Sequence, residues 1–340
     1  MLRRTIYAIL ACLLVLAGCE TPPCVDGWVG APPPEGQSMY CARTAEDGSE
    51  VRHGPYTRWY ITGQMSEQGQ YIDGKEEGVW TYWHYNGLVS KQGRFSNGKE
   101  EGRWISHYMD GSLRKQADYL EGQLHGLEIE WRMNGDRASE CGYRHGKRHG
   151  PCTEWDHEGN KTFSGRYLDG KREGVVMRRT FDNTSHCEFK NGLLHGRCEV
   201  LYLRQKVSVV VPYKDGKVDG RLDAFGADGT RLGETYFQRG KLHGRSVMWY
   251  QDGTLMESGY FEDGKAQGVW TFWSTDGQVR QAGSFDQGRR EGLWLYRDWT
   301  GEVYEVHCEK GTCPGGFYLG QPTAQYVPQF LNRTISGQLQ

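Results

Sequence analysis

Hydrophobic and polar positions recur along this 340-residue chain with a period of 24 residues. Each repeat opens on a glycine and runs through alternating apolar and polar residues to a first turn and then to a second one, and in many repeats these turns are Asn-Gly or Asp-Gly pairs. A period of this length is the signature of a repeat architecture. Eleven repeats begin at Gly54, Gly78, Gly102, Gly126, Gly150, Gly174, Gly196, Gly220, Gly244, Gly268 and Gly292.

The two turns of each repeat predict a β-hairpin. The first turn lies at the tenth position, as in Asn86-Gly87, and the second near the twenty-first, as in Asn97-Gly98. Such pairs between short β-rich runs favour type I′ turns, in which both central residues have positive φ. No segment has a sustained helical period. We therefore expect an all-β protein, an elongated antiparallel meander of about 22 strands.

Two repeats depart from this pattern. The repeat from Gly174 is two residues short, and Asn183 and Gln205 stand where the first turn normally has its glycine. We expect a local distortion within residues 174–219.

The pattern G-x-W-x-x-W-x-x-(N/D)-G…G-x-(Y/F)-x-(D/N)-G-K covers residues 54–311. It resembles the MORN-repeat variant of the bacterial proteins named YwqK-type antitoxins. The resemblance implies the hairpin fold over residues 54–315. The family name also implies an alternative function, an antitoxin or immunity-type protein that neutralises a partner toxin.

The N-terminus resembles that of a secreted bacterial lipoprotein. Arg3 and Arg4 precede an apolar run over residues 6–16, which is too short to span a bilayer. The run ends in the motif Leu-Ala-Gly-Cys19, which is similar to a lipobox. This implies a signal peptide over residues 1–18, a lipid anchor on Cys19 and a Pro-rich tether over residues 19–53. Glu20 favours the outer membrane of the cell envelope.

Cys12 lies in the signal peptide and Cys19 carries the lipid, which leaves eight cysteines, and an even count in an oxidising compartment predicts disulfides. Cys141 and Cys152 are eleven residues apart, as are Cys187 and Cys198. Each pair joins the sixteenth position of one repeat to the third of the next, once the two-residue deletion in the repeat from Gly174 is allowed for, and other repeats often place Gly against Trp there. Facing strand residues have Cα atoms about 4.5 Å apart, which a disulfide accepts. Elimination leaves Cys24 with Cys41 and Cys308 with Cys313. Without a C-x-x-C motif, we expect no metal site.

Composition and motifs argue against catalysis and nucleic-acid binding. The net charge is −2, so there is no surplus of positive charge to attract a polyanion. The chain has no nucleophile elbow, zinc-protease helix, Walker loop or dinucleotide fingerprint, so we expect a non-enzyme without cofactors. A row of His and Glu residues precedes the opening glycines. Its members are two strands apart, about 9.5 Å, so we interpret them as polar residues that close turns.

Aromatic rows supply the candidate binding surface. The third and eighteenth positions are expected to stack and hold the sheet together. The sixth position supplies the candidate ligand-binding residues, which are Trp59, Trp83, Trp131, Trp155, Trp249 and Trp273. Exposed indole rings suit recognition of proteins or glycans. We therefore predict a monomeric, non-catalytic envelope lipoprotein that binds an envelope protein or a cell-wall glycan, with residues 316–340 forming a tail or cap.

Overall fold

The computed structural model describes residue 24, residues 27–314 and residue 322. The signal peptide, Cys19 and the tail over residues 316–340, apart from Pro322, lie outside this part of the chain. The described residues form 25 β-strands. None of them forms a helix with the length and hydropathy needed to cross a membrane. The expected all-β antiparallel meander of hairpin repeats is confirmed.

The chain divides into two compact units. The N-terminal unit comprises Met1–Gly150 with Trp155–Gly159, and the C-terminal unit Pro151–Glu154 with Asn160–Gln340. The strands up to β11, which has residues in both units, are β1 (Trp28–Ala31), β2 (Ser38–Thr44), β3 (Glu50–Trp59), β4 (Met65–Ile72), β5 (Lys75–Trp83), β6 (Val89–Ser96), β7 (Lys99–His107), β8 (Leu113–Leu120), β9 (Gln123–Trp131), β10 (Arg137–Arg144) and β11 (Lys147–Trp155).

The remaining strands belong to the C-terminal unit. They are β12 (Lys161–Leu168), β13 (Lys171–Arg179), β14 (Asn183–Lys190), β15 (Leu193–Tyr202), β16 (Val207–Lys214), β17 (Lys217–Val218), β18 (Gly220–Phe225), β19 (Arg231–Gln238), β20 (Lys241–Trp249), β21 (Leu255–Glu262), β22 (Lys265–Trp273), β23 (Val279–Asp286), β24 (Arg289–Arg297) and β25 (Val303–Cys308).

Two strands precede the first repeat. Residues 19–53 were expected to be a tether, but β1 and β2 lie within them, and β2 pairs with β3. Cys24 is bonded to the buried Cys41 on β2. The tether prediction is therefore wrong for residues 28–44, because the alternating apolar residues there add a hairpin to the repeats.

The second turn of each repeat has the predicted type I′ geometry. Asn97 and Gly98 have φ values of 51° and 76°, and Ser96 pairs directly with Lys99. Type I′ turns match the twist of the flanking strands. The same turn also occurs with residues that rarely adopt positive φ, namely Glu121, His145, Arg239, Gln287 and Lys310.

The first turn differs from the prediction. At Asn86-Gly87 only the glycine has positive φ, and the His84 carbonyl accepts from Gly87 N at 2.9 Å. The His84 amide in turn donates to the Leu88 carbonyl. This is a three-residue loop, a type I turn followed by a left-handed glycine. The Asn side chain serves as an acceptor, because its Oδ1 receives the Leu88 amide at 3.2 Å.

Aromatic side chains from the third and eighteenth positions pack against one another in two stretches, one in each unit, which we call the aromatic ladder. In the N-terminal unit it runs through Tyr56, Tyr71, Trp80, Phe95 and Trp104, with neighbouring rings 5.0–5.9 Å apart and mostly edge to face. In the C-terminal unit it runs through Phe261, Trp270, Phe285 and Trp294. Edge-to-face packing suits the quadrupoles of the rings. The side of the strands that carries this row is the ladder face.

Glycine at the sixteenth position makes room for the ladder. A Cβ on Gly93 would lie 2.0 Å from Trp104 Cδ2, and one on Gly283 would lie 2.3 Å from Trp294 Cδ2. Neither glycine has positive φ, so space rather than backbone conformation requires glycine there. In the third repeat this position is Ala117, and the following repeat has Glu128 in place of Trp at its third position.

All eight cysteines of the predicted pairs are disulfide-bonded. Cys24–Cys41, Cys187–Cys198 and Cys308–Cys313 have Cα–Cα separations of 5.4, 3.9 and 4.3 Å. Cys187 and Cys198 are register partners on β14 and β15, as the spacing predicted. Zinc binds thiolates, so these sulfurs in their oxidised form are not zinc ligands.

The expected distortion occurs within residues 174–219. Four residues separate the paired Arg179 and Thr184, one fewer than between Trp83 and Val89 in the second repeat, and the bulge seen there is absent between β13 and β14. The two missing residues are therefore one loop residue and the bulge residue. Further along, the strand after β16 is interrupted at Asp219, so that β16 pairs with both β17 and β18.

Candidate functional site: the first-turn edge

We number positions within a repeat from its opening glycine. The loops at positions 7–11 form the first-turn edge, and those at positions 20 and 21 form the second-turn edge. Hydrogen bonds between repeats order both edges, so side chains there are held in a regular array.

At the first-turn edge, the side chain at position 7 reaches the backbone of the next repeat. Tyr60 Oη donates to the Trp83 carbonyl at 2.7 Å, and Tyr108 Oη to the Trp131 carbonyl at 2.8 Å. His84 Nε2 lies 3.1 Å from the His107 carbonyl. Each of these bonds ties the end of one hairpin to the next, and those of Tyr60 and Tyr108 hold the backbone of the tryptophan that precedes the following loop.

The six predicted tryptophans lie at this edge, and all are half-buried. None takes part in a ring–ring pair with another described residue, although the Arg231 guanidinium lies 5.8 Å from the Trp249 ring centre. Repeats are two strands, about 9.5 Å, apart. The tryptophans therefore do not converge on one pocket. In the N-terminal unit Trp59, Trp83, Trp131 and Trp155 form a spaced row, which is interrupted in the third repeat by His107. Trp249 and Trp273 lie on neighbouring repeats of the C-terminal unit, after three repeats with Arg179, Leu201 and Phe225 at this position.

Sequence reasoning missed the residues at position 8, which are the most exposed apolar side chains of this edge. In the C-terminal unit these are Trp299 and Phe181, which are 96% and 83% exposed and lie on separated repeats. In the N-terminal unit Ile61, Tyr85 and Met133 are 84%, 62% and 62% exposed, and Met109 is exposed as well. We call the four residues of the N-terminal unit, which belong to consecutive repeats, the tip row. Each occupies the second residue of its type I turn, where a side chain points away from the strands. The signal in the sequence was an apolar residue in a surface turn, where polar residues are usual.

Loop aspartates strengthen the same loops. Asp110 Oδ1 accepts from Ser112 Oγ at 2.6 Å and from Ser112 N at 2.9 Å, and these bonds lower the pKa of the carboxyl. Backbone and side-chain bonds from Thr254 lower the pKa of Asp252 in the same way. These carboxylates satisfy backbone donors and thereby keep the loop conformation uniform from repeat to repeat.

The row of His and Glu residues at position 24 has a structural role. Glu77 Oε2 accepts from the Asn97 amide at 2.8 Å, and Glu101 Oε2 from the Glu121 amide at 3.0 Å. In each case the amide belongs to the left-handed residue of the next type I′ turn. Gln267 Oε1 likewise accepts a hydrogen bond from the Gln287 amide at 2.9 Å. The interpretation as polar residues that close turns therefore holds for these members of the row.

Comparisons with known proteins return a solved structure of low similarity. No family model matches the chain, and no curated protein does. The structure titled "Crystal Structure of TcdB2-TccC3" aligns at 10% identity and a TM-score of 0.13, covering 80% of this chain. The chain spans about a fifth of that protein, since 19% of its length is covered. The resemblance to YwqK-type antitoxins stays a prediction.

Proposed function

We propose that this protein is a non-catalytic envelope lipoprotein, anchored through Cys19, that binds a partner protein of the cell envelope along the first-turn edge of its N-terminal unit. The observation that supports the proposal is the tip row, which places four exposed apolar side chains on consecutive, equally spaced loops. Exposed apolar patches rimmed by polar groups commonly mark interaction sites.

The geometry of the tip row suits binding along an open surface rather than in a cleft. The tips are carried by loops that share one conformation, and the bonds from Tyr60 and Tyr108 hold neighbouring hairpins in register. Rigid presentation reduces the entropy lost on binding. The half-buried tryptophans behind the tips add aromatic area, and residues of this type commonly supply most of an interface's binding energy.

The test combines proximity labelling in cells with a tip-row variant. Ile61, Tyr85, Met109 and Met133 are all replaced by serine, which removes apolar area without altering the turns. We expect labelling of the envelope partner to fall at least tenfold. The matched control replaces Gln251 and Thr275, the polar residues at position 8 of two later repeats, by serine, and it should label the partner normally.

Two outcomes would count against the proposal. One is unchanged partner labelling by the tip-row variant. The other is a Cys19→Ser chain that stays in the membrane fraction, which would remove the lipid anchor from the proposal. Retention on purified cell-wall glycan, lost in the tip-row variant, would replace the partner protein with a glycan.

A further inference from the structure

The first-turn edge of the C-terminal unit lacks a bridge between its eighth and ninth repeats. In the ninth repeat, Tyr250 at position 7 donates from Oη to the Trp273 carbonyl at 2.9 Å, as the tyrosines at position 7 do in the N-terminal unit. In the eighth repeat, position 7 is Gly226. A glycine has no side chain that could reach the Trp249 carbonyl, so the space that the bridging side chain would fill is left open.

The turn itself does not require glycine at position 226. Gly226 does not have positive φ, and its loop has the hydrogen bonds of the Tyr250 loop: Gly226 N donates to the Thr230 carbonyl at 2.8 Å, and Tyr250 N to the Thr254 carbonyl at 2.8 Å. A Cβ on Gly226 would lie 3.0 Å from Asp228 Oδ1. The Tyr250 loop has Asp252 at the same place, so a tyrosine is compatible with this neighbour. The missing side chain is therefore a feature of this repeat and not of the turn.

The preceding repeat borders the same gap with an irregular loop. Tyr202 at position 7 pairs directly with Val207, so only four residues form the loop between them. Gln205 stands where the first turn normally has its glycine, and Lys206 adopts a left-handed conformation with φ 53°. Two irregular features, the short loop and Gly226, thus meet at one place on the first-turn edge.

A cleft of about 300 Å³ lies there. Three consecutive repeats contribute its polar lining residues, which are Gln205, Lys206, Asp228, Thr230 and Gln251. Val207 and Leu232 add apolar surface. Small-molecule sites commonly have volumes of about 300–1,000 Å³ and combine apolar walls with a few polar groups. This cleft is at the lower end of that range, so it suits one small ring.

The polar groups of the cleft are both donors and acceptors. Asp228 Oδ1 accepts from the Thr230 amide at 3.0 Å, and hydrogen bonds from the backbone and side chain of Thr230 lower the pKa of the carboxyl. The Asp228 carboxylate is therefore an ionised acceptor at neutral pH, and its lone pairs outnumber these bonds. The carboxamides of Gln205 and Gln251 each donate and accept, and Lys206 donates.

This set of groups favours a neutral ligand with several hydroxyls. The charges of Lys206 and Asp228 cancel, so the lining gives no preference for a net anion or a net cation. A hydroxyl both donates and accepts, as do the two carboxamides. The apolar surface of Val207 and Leu232 suits the C–H face of a sugar ring.

We propose that the cleft between the loops at 203–206 and 226–230 binds one neutral sugar residue, either free or at the end of a glycan. This site goes beyond the partner-binding surface proposed above. The tip row belongs to the N-terminal unit and the cleft to the C-terminal unit, so the two can be removed separately.

The substitution Gly226→Tyr tests the site, because it restores the position-7 side chain of the neighbouring repeat and fills the cleft with a ring. The matched control is Ser274→Tyr, the same change at position 7 of the tenth repeat, which does not line the cleft. The full chain, purified in detergent, is applied to an array of neutral glycans that end in hexoses or N-acetylhexosamines. We expect the unaltered chain and Ser274→Tyr to bind the same glycans, and Gly226→Tyr to bind them at least tenfold more weakly.

Folding of Gly226→Tyr is checked by hydrogen exchange of β18 to β20. If this variant does not fold, the double variant Gln205→Ala, Gln251→Ala replaces it and should weaken glycan binding at least fivefold. The proposal is overturned if the unaltered chain binds no neutral glycan, or if a folded Gly226→Tyr chain binds as well as the unaltered one.

Two further measurements separate this proposal from its alternatives. Saturation-transfer NMR with glycine and glutamate probes a zwitterionic ligand, and contact that is lost in Gly226→Tyr while no glycan binds would assign the cleft to amino acids and overturn the sugar site. Glycan binding that is lost in the tip-row variant but kept in Gly226→Tyr would also overturn it. Partner labelling that does not respond to the tip-row variant bears on the partner-binding surface alone.

Discussion

At the scale of single residues, the repeat is maintained by size as much as by polarity. Wherever a repeat has tryptophan at position 3, the preceding repeat has glycine at position 16, and the indole lies where a Cβ would be. Gly165 occupies the same position opposite the smaller Val176. Where the next repeat has Glu128, position 16 is Ala117 instead. The glycine and the tryptophan are therefore one structural feature divided between two repeats.

Substitution of Gly93 by alanine tests this coupling. The new Cβ would overlap the buried Trp104 ring, so we expect a loss of about 1–3 kcal/mol in the free energy of unfolding. The measurement is denaturant unfolding, repeated in a Trp104→Leu background. There the alanine should cost much less, because coupled neighbours are non-additive. An equal cost in both backgrounds would show that the indole is not the reason for the glycine.

At the scale of the hairpin, the two turns use Asn and Asp for different purposes. At the second turn the residue adopts positive φ, as Asn97 does, and at the first turn it accepts a backbone hydrogen bond, as Asp110 does. The same dipeptide thus encodes two conformations. Strand pairing decides between them, because a bulge after position 12 accompanies the longer first loop.

Acid should weaken the first-turn loops. The pKa values of Asp110, Asp228, Asp252 and Asp298 are lowered in the folded chain by hydrogen bonds to the loop, and the same holds for Asp47 in the loop between β2 and β3. Stabilisation from a group of this kind is present above its unfolded pKa and is lost as the pH falls through the lower, folded-state pKa. We expect the free energy of unfolding to decrease between pH 5 and pH 2.

The five aspartates can be replaced together by asparagine, which keeps the acceptor but does not titrate. Their share of the acid destabilisation should then disappear in denaturant unfolding at pH 5 and pH 2. A control variant changes Asp73, Asp169, Asp215 and Asp263 at the second turn to asparagine. If both variants lose the same amount of pH dependence, net charge rather than the loop bonds is responsible.

At the scale of the whole molecule, the chain is described as two compact units, and the irregular repeats lie within the C-terminal one. The Cys187–Cys198 disulfide joins β14 to β15 beside the shortened loop and ahead of the interruption at Asp219. This covalent bond holds β14 and β15 in register at a place where the repeat pattern is irregular.

Removal of that disulfide should act locally. Its loop is short, and we expect the Cys187→Ser, Cys198→Ser variant to lose about 2–3 kcal/mol. Hydrogen exchange should accelerate most in β13 to β16. The matched control removes the Cys308–Cys313 pair and should accelerate exchange only near β25. Uniform acceleration over the whole C-terminal unit in the first variant would contradict a local role.

Much of the fold follows from the sequence because its determinants are local. The 24-residue period, the type I′ turns and the facing positions of Cys187 and Cys198 depend on residues that are close in the chain. Ladder positions such as Trp80 and Phe95 were predictable for the same reason. The sequence also shows that the six tryptophans share position 6 of their repeats, but it does not show that their side chains are half-buried.

Other features of the fold depend on contacts between repeats, and only the tertiary structure decided them. The conformation of the first turn, the addition of β1 and β2, and the exposure of the tip row could not be obtained from the spacing of residues alone. The burial of Glu257 is the clearest case, since Glu67 has the same place in its repeat and remains partly exposed. A periodic sequence specifies the periodic part of a structure, because each repeat meets the same neighbours. Differences in burial between equivalent positions of two repeats are set by packing between residues that are distant in the sequence.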